Sequence, residues 1–221
     1  MVINADTIAM YLTETWATIY MTLISSAVSY LIGIPLGVIL VVTDKDGIAP
    51  CSPVHAVLGT LINIFRSIPF LILLVMVLPI TKFLVHTTLG PVAIIPPLIF
   101  ASAPYIGRMV ESSLKEVDAG VIEAAKSMGA TNWQIICKVL LPEAKPSLLV
   151  GAAICITTIL SYSAMAGFVG GGGLGAIALN YGYYRYKTDI MLIAVTVLVI
   201  LVQLIQEFWM LLARRTDKRA R

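Results

Sequence analysis

Charge is what this 221-residue chain has least of. Asp, Glu, Lys and Arg make up 12% of it, about half of what a soluble globular domain carries. With 59% apolar residues and a mean hydropathy of +0.94, a water-soluble fold is excluded. The composition predicts an integral membrane protein. Histidine is nearly missing: His55 and His86 stand alone, and a metal site needs more ligands at regular spacing. The three cysteines, Cys51, Cys137 and Cys155, show no paired spacing. They suggest neither a disulfide framework nor a zinc site and read as small buried apolar residues. No G-x-x-x-x-G-K-[ST] occurs, so no P-loop can cradle the phosphates of ATP. The GGGGLG run at 170–175 lacks the Lys-Ser/Thr that would follow, and reads as a flexible external turn. HExxH and GxSxG are both missing, which removes an intramembrane hydrolase. No apolar run carries Asp or Glu at its centre, so a proton-relay carboxylate is lacking. The net charge of +3 comes from basic residues flanking apolar runs, so nucleic acid is not the expected partner. The chain is therefore expected to hold no catalytic residues, no metal and no cofactor. Energy for any pumping would come from a partner.

What is present is a series of apolar runs. The first 13 residues contain Asp6 but neither Lys nor Arg, and show no signal-peptide pattern. Residues 16–42 are uncharged and exceed the roughly 20 residues that cross a bilayer as helix. Within them Pro35 predicts a kink, and Gly33 and Gly37 at GxxxG spacing fit either close helix contact or chance. Residues 44–53 form a turn broken by Gly47, Pro50 and Pro53. In 54–81, the uncharged part after Arg66 is short for a full span. Residues 54–66 are predicted to enter as an amphipathic helix that bends near Pro69 before the chain crosses. Arg66 then lies at the cytosolic interface, by snorkelling, or inside the bundle. Residues 87–107 carry Pro91, Pro96, Pro97 and Pro104, a load tolerated where neighbouring helices satisfy the freed carbonyls. This span is expected inside a bundle. Spans at about 147–166 and 190–206 follow, separated by the glycine-rich turn.

Five spans put the termini on opposite sides. With the N-terminus outside, only Lys82, Arg185 and Lys187 of the 15 Lys and Arg residues fall outside. Arg214, Arg215, Lys218, Arg219 and Arg221 are among those inside, the asymmetry of the positive-inside rule. The predicted fold is all-α integral membrane: five transmembrane helices, N-outside and C-inside, in a single domain over 1–221. A short polar helix in the cytosol joins the third and fourth spans.

That connection, about 121–146, is the longest interruption of the apolar pattern. Glu123, Ala124 and Ala125 are strong helix formers and Gly129 is a plausible stop. Val121, Ala124, Ala125 and Met128 fall at helical spacing and make a smooth face of small residues. Such a face suits a groove on another protein or, on the blander reading, the lipid surface. Glu123-Ala124-Ala125, Gly129, Val139 and Leu141-Pro142 fit the spacing of the EAA signature. The stretch thus resembles the coupling segment of bacterial ABC-importer permeases, with Val139 in place of the usual Ile.

Five blocks sharpen the resemblance: NIFRSIPF (63–70), APYIGRMVE (103–111), AAKSMGAT (124–131), KVLLPEA (138–144) and SYSAMAGFVGGGGLG (161–175). Together they look like the permease subunit of bacterial methionine ABC importers, over essentially the whole chain. The resemblance implies a multi-pass permease of the bacterial cytoplasmic membrane, without catalytic activity of its own. A second copy of the chain would form the pathway at a homodimer interface. Two ATP-binding subunits would bind ATP and Mg, and an external lipoprotein would deliver methionine. Glu123, Ala124, Ala125, Met128, Gly129 and Ala130 would contact the ATPase. Tyr162, Ser163 and Met165 would line the pathway at the outer end of the fourth span. By residue pattern alone, packing of Tyr162 and Met165 against another helix fits better, and only their place in the matching block favours the pathway. Tyr181, Tyr183, Tyr184 and Tyr186 fit contact with the binding protein or an interfacial aromatic belt. Two competing readings are a permease for another amino acid and, in a different class, a solitary secondary transporter.

Overall fold

The computed structural model describes residues 5–216, and all its regular elements are helical. Lys218, Arg219 and Arg221, counted above in the charge asymmetry, lie outside the described residues.

α1 (Ala5–Thr43) is longer than the predicted span because the helix already starts eleven residues before Trp16. Those residues hold Asp6, favourable in a first turn, and Glu14. Counting only the apolar run missed them. The helix continues through Pro35 as one element. α2 (Ser52–Ser67) and α3 (Phe70–Val85) bear out the broken second segment, with a bend of 108° at the Ile68-Pro69 break. α4 (Pro91–Lys115) runs eight residues beyond Gly107, so Arg108, Glu111 and Lys115 are helical. α5 (Ala119–Ser127) and α6 (Asn132–Ile135) form the connection, followed by a π-turn at Ile136–Leu140 and α7 (Leu141–Glu143). The wider π-turn precedes Pro142, whose ring would otherwise meet the carbonyl one turn back. α8 (Lys145–Met165), α9 (Gly173–Ile177) and α10 (Thr188–Thr216) complete the chain. Among the described residues, four helices, α1, α4, α8 and α10, are long and apolar enough to cross a membrane, and the bent α2–α3 pair is a candidate fifth span.

The contacts divide the chain into two compact units. The first comprises Met1–Ser29, Ile68–Ser102 and Ile156–Gln206. One of its cores gathers Leu174, Ile177, Ile190 and Ala194, with Met10 and Tyr11 packed against them. The Tyr11 hydroxyl donates to the Ile190 carbonyl at 2.9 Å. On α4, Ala93, Ile94 and Leu98 are fully buried, as the proline load of that span predicts.

The second unit comprises Tyr30–Ser67, Ala103–Cys155 and Glu207–Arg221. Here the GxxxG pair does bring helices together. A Cβ on Gly33 would lie 2.5 Å from Ile106, and one on Gly37 would lie 2.6 Å from the Gly107 carbonyl oxygen. Only hydrogen at those positions lets α1 and α4 approach so closely. The cysteines diverge from expectation: Cys155 is buried, Cys51 half-buried and Cys137 exposed. Cys137 sits in the π-turn of a surface connection, where no apolar layer covers it.

Candidate functional site

The connection folds as its sequence dictates. Asp118 caps α5, its side chain accepting from the Gly120 N–H at 2.7 Å. At the other end Gly129 takes φ +76, and two bonds close the helix: Gly129 N–H to Lys126 O (2.9 Å) and Ala130 N–H to Ala125 O (3.1 Å). This is a Schellman stop, and it satisfies carbonyls that the helix end would orphan. A Cβ on Gly129 would touch nothing within 4 Å, so the position demands glycine for its backbone and not for space. Two residues later Thr131 and Gln134 form a capping box: Thr131 Oγ1 accepts from the Gln134 N–H, and Gln134 Oε1 from the Thr131 N–H.

The proposed smooth face is only partly a surface. Ala125 is buried within the second unit, while Val121, Glu123, Ala124, Met128 and Gly129 are exposed. Ala125 and Ala124 are neighbours in sequence, so about 100° of helix separates them and one turns inward. Met128 at 82% and Trp133 at 72% exposure are the most open apolar side chains of the connection. Trp133 was not singled out from sequence, because it lies beyond the Gly129 stop.

Behind α5 the second unit holds an ionic network. Arg108 donates to Glu111 Oε2 (2.7 Å), to the Gly59 carbonyl (3.1 Å) and to Asn63 Oδ1 (3.0 Å). Lys115 Nζ lies 2.9 Å from Glu111 Oε1 and 2.7 Å from Asp44 Oδ2. Glu111, only 6% exposed, is therefore shared by two cations on its own helix, each one turn away from it. The 63–70 and 103–111 blocks thus meet through Asn63 and Arg108. Arg66 is exposed in the last turn of α2, outside this network. A cavity of 440 Å³ separates the network from α5, with Asp44, Lys115, Ile122, Glu123 and Lys126 on its wall.

His55 is less isolated than its sequence position implied. Its Nδ1 lies 3.0 Å from Leu40 O, and the ligand atoms of Asp44, His55 and Glu111 fall within 4.8 Å of one another. The Lys115 ammonium already pairs with both carboxylates, so it occupies the place a metal cation would take. The Lys115 hydrogen bond also holds the Asp44 carboxyl below the usual carboxylate range. A depressed folded-state pKa stabilises above the unfolded value, about 3.9, and loses that effect as pH falls. Asp44→Asn should thus lower Tm slightly at pH 7, and the gap from wild type should close below about pH 4. A Tm series against pH checks this. Both groups are partly exposed (46% for Lys115, 24% for Asp44), so added salt should shrink the gap.

In the first unit, Tyr162 stacks on Phe70 with ring centroids 4.5 Å apart and planes 5° from parallel. Ser163 is buried and its hydroxyl donates to Leu160 O at 2.7 Å. Met165 is 44% exposed. Tyr162 and Met165 share a helical face by spacing, yet one is packed on a ring and the other is open.

The glycine run is not a free turn. Gly170, Gly172 and Gly173 all have positive φ, and Gly171, Gly173, Leu174 and Gly175 are buried. The Gly173 N–H donates to Glu14 Oε2, and the Leu174 N–H to Thr18 Oγ1 at 2.9 Å. Gly90 N–H donates to Gly170 O at 2.9 Å. Glu14 and Thr18, one turn apart on α1, thus cap α9. Sequence reasoning passed over both, although a carboxylate and a hydroxyl at i, i+4 near a helix start are a legible signal.

Long apolar helices, a helix pair broken at a proline, and a short capped helix presented on a polar connection are the architecture of a multi-pass membrane protein. Comparison with known proteins specifies which kind. Residues 33–220 match the model of the binding-protein-dependent transport system inner membrane component. A probable D-methionine transport system permease protein of Vibrio cholerae is 50% identical over 217 residues, covering 98% of this chain and 95% of that one. The methionine import system permease protein of Bacillus subtilis is 45% identical over 181 residues, 82% of each chain. An inward-facing structure of a methionine ABC transporter matches with TM-score 0.96 and 42% identity, over 98% of this chain and 100% of that one. This chain belongs to the family of binding-protein-dependent transport system inner membrane components. It is a multi-pass, non-catalytic permease subunit of the inner membrane.

Proposed function

We propose that the chain is the permease subunit of an ATP-driven importer of methionine, working as a homodimer with the pathway at the interface between copies. Methionine is the substrate named for relatives that align with nearly the whole chain. Two ATPase subunits bind ATP and Mg and dock on α5 of each copy, and an external lipoprotein delivers the substrate. The bent α2–α3 pair counts as one of five spans, with the N-terminus outside and α5 in the cytosol. Residues 1–221 act as one permease domain, coupled through about 121–146.

The observation that carries this reading is the exposed surface of α5. It presents Val121, Ala124 and Met128, and a Schellman stop at Gly129 holds it in place. Glu123 and Ala130 flank that surface, and Ala125 anchors it from within. Closure of the ATPase pair would draw both α5 helices together and rock the spans, opening the pathway outward; hydrolysis would return it. Tyr162, Ser163 and Met165 remain the proposed lining, with the Met165 thioether the most accessible of the three.

ATP-dependent uptake of labelled methionine, in proteoliposomes holding the chain, its ATPase and the binding protein, tests the reading. Uptake that needs all three and that excess methionine alone abolishes is expected. Uptake of another amino acid instead would overturn the substrate, and uptake without ATP the whole class. Gly129→Val should reduce coupled uptake at least tenfold while the chain still inserts. A β-branched residue at positive φ costs about 1–2 kcal/mol and unseats the stop. Wild-type uptake by that variant would remove Gly129 from the coupling role.

A further inference from the structure

Within the second unit, the ends of three membrane-length helices line an open cavity of 380 Å³. Glu116 follows the last residue of α4, Arg214 lies in the last turn of α10, and Glu143 precedes the start of α8. All three line the cavity, and none is in an ion pair among the described residues. The other wall is apolar and includes Val150 and Met210. Ser113 on the cavity floor is already bonded to Ser147, at 3.1 Å. The volume lies in the usual range of small-molecule sites, about 300–1,000 Å³.

The distribution of charge selects the ligand. Two carboxylates outside any ion pair and the partial negative charge at the C-terminal ends of α4 and α10 favour a cation, while the N-terminus of α8 adds partial positive charge for an anion. The single guanidinium offers a forked donor for a phosphate. The apolar wall suits hydrocarbon, and all of this sits where spans end, at the depth of a bilayer's headgroups. A purely anionic lipid would set its charge against two carboxylates. A choline lipid has no N–H to donate to them. We propose that this cavity binds an aminophospholipid, its primary ammonium toward Glu116 and Glu143, its phosphate at Arg214 and its chains along Val150 and Met210. The inference does not depend on what the permease carries.

Native mass spectrometry of the full chain in detergent, with equal phosphatidylethanolamine and phosphatidylglycerol, is the test. Phosphatidylethanolamine should be retained over phosphatidylglycerol by about fivefold or more. The E116Q/E143Q double variant should abolish that preference, and Arg214→Ala should weaken retention of both lipids. Lys145→Gln, just outside the cavity, should change neither. Equal retention of the two lipids by the wild-type chain would overturn the proposal. So would an unchanged preference in E116Q/E143Q. Displacement of the lipid by soluble phosphoethanolamine at similar concentration would assign the site to a water-borne ligand and overturn the lipid. Thermal melts of each variant, expected within a few degrees of wild type because the substituted side chains are exposed, separate lost binding from lost fold.

Discussion

Glu111→Ala is expected to cost about 3 kcal/mol, because a buried ion pair loses one partner while the other charges stay behind. Removing the carboxylate leaves Arg108, with a side chain 23% exposed, facing only the Gly59 carbonyl and Asn63. Lys115 keeps Asp44 and, being 46% exposed, recovers some hydration. Most of the loss therefore falls on Arg108. The measurement is the thermal melt of the detergent-solubilised chain, against Lys115→Met as a comparison. The lysine variant should lose clearly less, since Glu111 then retains Arg108. Equal losses would mean that the Arg108 contact is worth little. The same network borders the cavity behind α5. Glu111→Ala should also lower ATP-dependent uptake more than it lowers the amount of inserted chain.

Gly175→Ala is expected to have a comparable effect by pure sterics. A Cβ there would overlap the Ala164 carbonyl, and backbone cannot swing aside as a flexible side chain can. The cost is about 3 kcal/mol, the upper end for overpacking, and it falls on the contact that seats α9 against the end of α8. Gly90→Ala is the control. Nothing lies within 4 Å of its Cβ, and only its φ of +85 is unfavourable, so about 1 kcal/mol is expected. A melt in which Gly90→Ala loses more than Gly175→Ala would refute the packing account. Uptake should follow the same order, because the residues displaced by Gly175→Ala adjoin Tyr162, Ser163 and Met165.

Much of the chain could be read without coordinates. The apolar runs gave the helices, the short stretch after Arg66 with Pro69 gave the broken pair, and Gly129 gave the end of α5. Each depends on residues within a turn or two, where spacing and backbone preference decide. The helix ends were read less well. α1 began before its apolar run and α4 ran past Gly107, because charged residues continue a helix as easily as apolar ones when partners await them. Glu111 shows the reason: with Arg108 and Lys115 at i−3 and i+4, it extends α4 and neutralises itself.

The candidate site divides in the same way. Sequence alone determined the class of membrane protein, the EAA spacing and a polar helix that ends at a glycine. Only the tertiary structure decided that Ala125 turns inward while Met128 and Trp133 stay open. It also decided that Tyr162 stacks on Phe70 and that the glycine run is clasped by Glu14 and Thr18. Arg108 meets Asn63 across 45 residues, and Gly173 meets Glu14 across 159. No local period encodes such pairs. They form because a buried N–H, carboxylate or guanidinium must find a partner, and which partner is in reach is known only once the helices have packed.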